Sequence, residues 1–228
     1  MRTAVLVSAL TLLWSVSAQA GLLEPAQFDA SHFLPPPPAQ GSAMTSKELA
    51  ELRAIAASSS VEEKAAAAKD AKDETPDIFN GVIGFDIATK PETNKLLSMV
   101  AEEEDTDSKV AKAYFHRLRP YGADPSLKTC EPVKPGKVAK PNSYPSGHAT
   151  LAFSMGVVLA DLMPAKSQAI LARAGQYAER RLVCGVHYRS DIVAGQQFGT
   201  ILALRLMENP AFQMQMAKAR AELRNART

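Results

Sequence analysis

Residues 148–163 read HATLAFSMGVVLADLM, and residues 191–207 read DIVAGQQFGTILALRLM. Both runs are too long for ordinary strands and are apolar around most of a helical circumference. Alanine and glycine recur in them, which lets helices approach closely. Pro164 ends the first run, and Asn209-Pro210 breaks the chain after the second. Helices this apolar belong inside a core and need other helices to cover them. Residues 168–182 are amphipathic, and residues 212–224 form a charged final helix. Residues 47–71, rich in Ala, Glu and Lys, read as helix broken at Ser58-Ser59-Ser60. Ser46 is expected to cap the first piece and Ser60 the second. Pro76 separates them from a short apolar stretch at 79–85. Lys90-Pro91-Glu92 opens a helix through Val100, and the acidic run at 102–105 leads into residues 109–117. Residues 121–144, rich in Pro, Lys and Gly, read as a loop. Strand patterns are nearly absent and no repeat is evident. The fold expected is all-α, a single helical domain with buried central helices.

The chain has 228 residues, a length that suits one domain. Its 26 basic residues nearly balance 24 acidic ones, which argues against nucleic-acid binding. Residues 1–20 do not belong to the fold. Arg2 precedes an apolar run from Ala4 to Val16, and Ala18-Gln19-Ala20 fits a cleavage site, so a signal peptide is expected. Beyond it no stretch holds 18 uninterrupted apolar residues, so stable membrane insertion is not expected. Residues 21–46, with Pro35 to Pro38 in a row, read as an extended arm lying on the domain or reaching a partner subunit. The helical domain then covers 47–228. Export would put Cys130 and Cys184 in an oxidising compartment, and a disulfide between them is expected; the alternative is two buried thiols. Charge is uneven. Residues 47–110 carry 15 acidic and 8 basic side chains, whereas residues 111–228 carry 17 basic and 7 acidic. The second half is where an anion site is expected.

Three segments carry candidate chemistry. In 112–120, KAYFHRLRP, Lys112 and Arg119 stand seven apart, about two helical turns, so both could face one oxyanion before Pro120 ends the element. A solvated basic face fits that segment equally simply. In 144–148, YPSGH, Ser146 can cap the apolar helix and Gly147 lets backbone approach an anion at the helix start. His148 then falls in the first turn; an ordinary cap beside a structural His is the competing reading. In 181–191, RLVCGVHYRSD, Asp191 follows His187 by four residues and can hold its Nδ1 proton, leaving Nε2 nucleophilic. Arg181 can reach the same anion. A core histidine beside an N-cap aspartate is the plainer alternative. Taken together the segments gather two histidines, three cations, a serine–glycine nest and one orienting carboxylate. No clustered metal ligands, GxGxxG, Walker A or nucleophile-elbow motif is present. No cofactor or metal is therefore expected, and metal-independent phosphoryl transfer through a histidine uses the whole set. His116 lies outside it and reads as structural or exposed.

The spacing K-x6-RP, PSGH and R-x5-H-x3-D resembles the signature of the type 2 phosphatidic acid phosphatase superfamily, which includes vanadium haloperoxidases and membrane lipid phosphatases. The stretches LPPPPAQGS, NSYPSGHAT, RRLVCGVHYRSD and NPAFQMQMAKA look closer still to the bacterial class A non-specific acid phosphatases. That resemblance implies a broad-range acid phosphatase acting on small phosphomonoesters, located in the periplasm and assembled as a dimer or higher homo-oligomer. It implies His187 as nucleophile, Asp191 as its orienting partner and His148 as general acid and base. It implies Lys112, Arg119, Ser146, Gly147 and Arg181 as the phosphate cradle. The family's usual serine before the third-motif arginine is Arg180 here, which would add charge at the pocket rim or swing away. A vanadate-dependent haloperoxidase would use nearly the same residues. A non-catalytic helical interaction protein is the alternative of another class, and it leaves the three segments unexplained.

Overall fold

A computed structural model describes residues 22–23, 28–130 and 139–225. The signal-peptide reading of residues 1–20 lies outside the described residues. Within them the chain is helical, with no strand. The helices are α1 (Ala30–Phe33), α2 (Ala43–Ser58), α3 (Val61–Asp70), α4 (Asn80–Ile83) and α5 (Pro91–Phe115). They continue as α6 (Pro120–Ala123), α7 (Gly147–Leu162), α8 (Ser167–Val183), α9 (Arg189–Glu208) and α10 (Pro210–Asn225).

The two apolar runs are α7 and α9, and they pack against each other at the centre. Gly195 and Gly199 of α9, four residues apart, share the face that meets the start of α7. A Cβ on Gly199 would lie 2.2 Å from the Thr150 carbonyl oxygen, and one on Gly195 2.6 Å from that of Ser146. Backbone therefore touches backbone at the crossing, and the crossing sets where Ser146 and Asp191 meet. Gly199→Ala should force the helices apart. A cost of about 1–3 kcal/mol is expected, as for other overpacked cores, with a melting temperature lower by several degrees. An unchanged thermal melt would contradict this packing. On the other side of α7, α8 buries Ile170, Ala174, Tyr177 and Ala178. Helix α10 closes the bundle against α5, where Glu222 accepts hydrogen bonds from Thr93 N (2.9 Å) and Thr93 Oγ1 (2.7 Å).

Several boundaries differ from the sequence expectation. Helix α2 starts at Ala43, capped by Ser42 rather than Ser46. Gly41, at φ 77°, turns the chain out of the proline run, so the helix begins at once. Ser60 caps α3 as expected, in a capping box with Glu63. Residues 91–115 form one helix, uninterrupted by the acidic run. Two of its acids are buried and partnered: Glu103 accepts from Leu22 N and Leu23 N at 2.9 and 2.8 Å, and Glu104 accepts from Ser108 Oγ. The loop expected at 121–144 begins with the short helix α6.

The described part of the arm lies on its own domain. Phe28 stacks on Phe198 with centroids 5.0 Å apart, and Pro35 O accepts from Tyr144 Oη at 2.7 Å. Cys130 and Cys184 are bonded, tying the segment after α6 to the end of α8, three residues before His187. No described helix is long and apolar enough to cross a membrane.

Candidate active site

The crossing of α7 and α9 brings the three segments together. Asp191 is in the first turn of α9, and its carboxylate is fully buried. Oδ2 accepts from His187 Nδ1 (3.2 Å), Ser143 Oγ (2.6 Å) and Tyr188 N (2.9 Å). Oδ1 accepts from Arg117 Nη1 at 2.6 Å. Burial pushes the Asp191 carboxyl up, and Arg117, Ser143 and the Tyr188 amide oppose that push by bonding the ionised form.

His187 is buried as well. With Nδ1 donating to Asp191, Nε2 keeps its lone pair. A guanidinium only donates, and Arg119 Nη1 stands 3.3 Å from that Nε2, which fits the same tautomer. Arg119 is itself set by Asn142 Oδ1 (2.9 Å) and Val186 O (3.2 Å). Burial first, then the charges of Arg119, Arg181 and Lys112, hold the imidazole well below its ordinary pKa. His187 is thus a neutral base surrounded by cations.

Lys112 and Arg119 both reach this site, but not from one helix. Helix α5 ends at Phe115, where His116 turns left-handed at φ 50°. Residues 116–119 are non-helical, and Pro120 opens α6 rather than ending a helix. The turn brings in Arg117, which the seven-residue spacing did not flag. Its guanidinium bridges Asp191 and Glu48 (Nη2 to Oε2, 2.8 Å) and lies 3.9 Å over the Tyr188 ring. Arg117 and Arg119, two residues apart on non-helical chain, both face inward, one to Asp191 and the other to His187. Read as extended, the RLRP stretch would have pointed to both. His116 itself is exposed.

Ser146 caps α7, accepting from Ala149 N, and its own N–H donates to Asp191 O at 3.1 Å. The backbones of the second and third segments are therefore joined. Gly147 is the first helical residue; a Cβ there would lie 2.6 Å from Lys112 Nζ, so only glycine lets that ammonium come against the helix start. Arg181 is buried near the end of α8. Arg180, in place of the family serine, swings away and pairs with Asp70 at 2.6 Å, beside Arg173. His148 lies in the first turn of α7, stacked on Tyr177, with Nε2 3.3 Å from Ala71 O and Nδ1 3.0 Å from Glu74 Oε1.

Glu104 is a further acid beside the cradle. Its Oε1 lies 3.7 Å from the place a Gly147 Cβ would take. Burial raises its carboxyl from 4.5 to about 7, against Ser108 and Lys112. A group titrating near 7 when folded and 4.5 when unfolded binds its proton more tightly in the fold. Between those values the native state holds more protons, so stability falls as pH rises. Glu104→Gln removes that dependence. The variant is expected to match the parent near about pH 4.5 and to exceed it by up to about 3 kcal/mol near about pH 8. Thermal melts across this range check it, and a pH-independent difference would contradict it.

The sequence profile of the PAP2 superfamily matches residues 95–214. A non-specific acid phosphatase of Providencia stuartii is 32% identical over 200 residues, covering 85% of this chain and 80% of that one. One from Salmonella typhimurium is 35% identical over 149 residues, covering 64% of this chain and 59% of its own. An acid phosphatase of Zymomonas mobilis is 34% identical over 146 residues, covering 64% and 55%. The crystal structure of a transmembrane PAP2-type phosphatidylglycerolphosphate phosphatase from Bacillus subtilis shares the fold. Its TM-score is 0.53 at 16% identity, covering 77% of this chain and 87% of that one. The chain belongs to the PAP2 superfamily. Within it, the chain is an acid phosphatase of the bacterial class A non-specific kind.

Proposed function

We propose that this acid phosphatase hydrolyses small phosphomonoesters of broad range, without a metal, through a phosphohistidine at His187 Nε2. The observation that carries the reading is the fixed tautomer: Asp191 on Nδ1, and the Arg119 donor at the Nε2 lone pair. A phosphoryl group at that nitrogen would meet the cations of Lys112, Arg119 and Arg181, with Ser146 and the Gly147 N–H at the helix start. In the first step the Nε2 lone pair forms the N–P bond while the P–O bond to the leaving alcohol breaks. His148 passes its proton to that oxygen. In the second, His148 takes a proton from water, the water oxygen bonds phosphorus, and the N–P bond breaks. Asp191 balances the charge His187 acquires, and Arg117 holds Asp191 in place.

Hydrolysis of p-nitrophenyl phosphate, undiminished by a chelator, is the expected result. Lack of phosphate release, with halide oxidation on adding vanadate and peroxide, would overturn it in favour of a haloperoxidase. The same reading carries removal of residues 1–20 on export to the periplasm, and self-association to at least a dimer. A mature N-terminus at Gly21 and light scattering above the monomer mass are the expected outcomes.

A further inference from the structure

Glu74 sits in the short segment after α3, and no motif marks it. That segment provides contacts to both ring nitrogens of His148: Ala71 O at Nε2 and Glu74 Oε1 at Nδ1. A carbonyl only accepts, so Nε2 carries a hydrogen of its own and Nδ1 is the nitrogen turned toward Glu74. The segment is pinned. Tyr177 stacks on the imidazole and donates its hydroxyl proton to Asp73 O at 2.6 Å. Just upstream, Arg173 and Arg180 grip Asp70. The Glu74 side chain itself stays 65% exposed. Its carboxyl is held below the ordinary range, first by the His148 hydrogen bond and further by Arg181 and Lys112. It is therefore an anion at His148 Nδ1, close enough to feel the charges of Arg181 and Lys112.

On the reading that His148 protonates the leaving group, that proton comes from Nδ1. The leaving oxygen must then take the place Glu74 Oε1 holds, so the exposed carboxylate turns aside and lies against the rest of the alcohol. We propose that Glu74 is a specificity-determining residue that selects phosphomonoesters by the charge of the leaving alcohol. It favours amino alcohols, accepts neutral alcohols and disfavours alcohols bearing a carboxylate or a second phosphate. The cations of the cradle are directed at the transferred phosphoryl group, so this carboxylate sets the sign of the field on the alcohol side.

The test compares kcat/KM of the full chain for phosphoethanolamine, glycerol phosphate and 3-phosphoglycerate, in the parent, Glu74→Gln and Glu74→Lys. The parent should rank them in that order. Each charged substrate should move by about two- to fivefold in Glu74→Gln, the size an exposed ion pair supports, chiefly through KM. The cationic substrate should lose and the anionic one gain. Glu74→Lys should invert the order, and added salt should narrow the parent's ratios. An unchanged ranking in both variants, or a uniform loss on all three substrates, would overturn the selection by charge. Failure of the parent to release phosphate from any of the three would instead overturn the phosphatase mechanism on which the proposal rests.

Discussion

His187→Ala is expected to abolish phosphate release, by at least about 10⁴-fold, the scale on which removing an acting nucleophile registers. Among the described residues, no other group near the cradle has a ring nitrogen that faces a donor and so keeps a lone pair for phosphorus. Asp191 and Arg117 are already paired to each other, and both ring nitrogens of His148 face acceptors, Ala71 O and Glu74 Oε1. The loss should not come from unfolding. With the imidazole gone, Asp191 keeps Arg117, Ser143 and the Tyr188 amide as donors, so its buried charge stays satisfied. Steady-state assays beside a thermal melt check both halves. Activity within a hundredfold of the parent would contradict the assignment.

His148→Ala should fail differently. Attack on phosphorus remains possible, but an alkoxide must leave unprotonated. Alkyl phosphates should lose about 10²–10⁴-fold, the usual worth of a general acid. p-Nitrophenyl phosphate, whose phenolate leaves readily, should lose least in the first step. The plot of rate against leaving-group pKa should steepen relative to the parent. An equal loss on all esters would mean that His148 only shapes the pocket.

The fold was legible because its two central helices are apolar nearly all round, and nothing but a helical core accommodates them. The candidate site was legible because His187 and Asp191 are four residues apart, and because PSGH joins a cap to a helix start. Other features depend on long-range packing. Arg117 was hidden by a helical reading of 112–119, which the left-handed turn at His116 overrides. The acidic run reads in the sequence only as leading from one helix into residues 109–117, whereas it lies within α5 and Glu103 and Glu104 are turned inward onto Leu22, Leu23 and Ser108. Glu48, 143 residues before Asp191, meets the same arginine as Asp191 does. Glu74 carries no motif, and only the pinned segment under Tyr177 sets it against His148. Arg180 shows the reverse: its position in the motif is plain, while its direction is decided by Asp70 across the helix pair.

The claim on which the rest depends is that phosphorus passes through His187. The most direct measurement is a rapid quench, free of acid, of the parent, His187→Ala and His148→Ala proteins mixed with labelled substrate. Base-stable, acid-labile phosphate on the protein is then mapped to its residue. Label should accumulate on His187 in the His148→Ala protein, because water attack on the intermediate is slowed, and none should form in the His187→Ala protein. Label on His148 in the His187→Ala protein would contradict the account and reverse the roles of the two histidines.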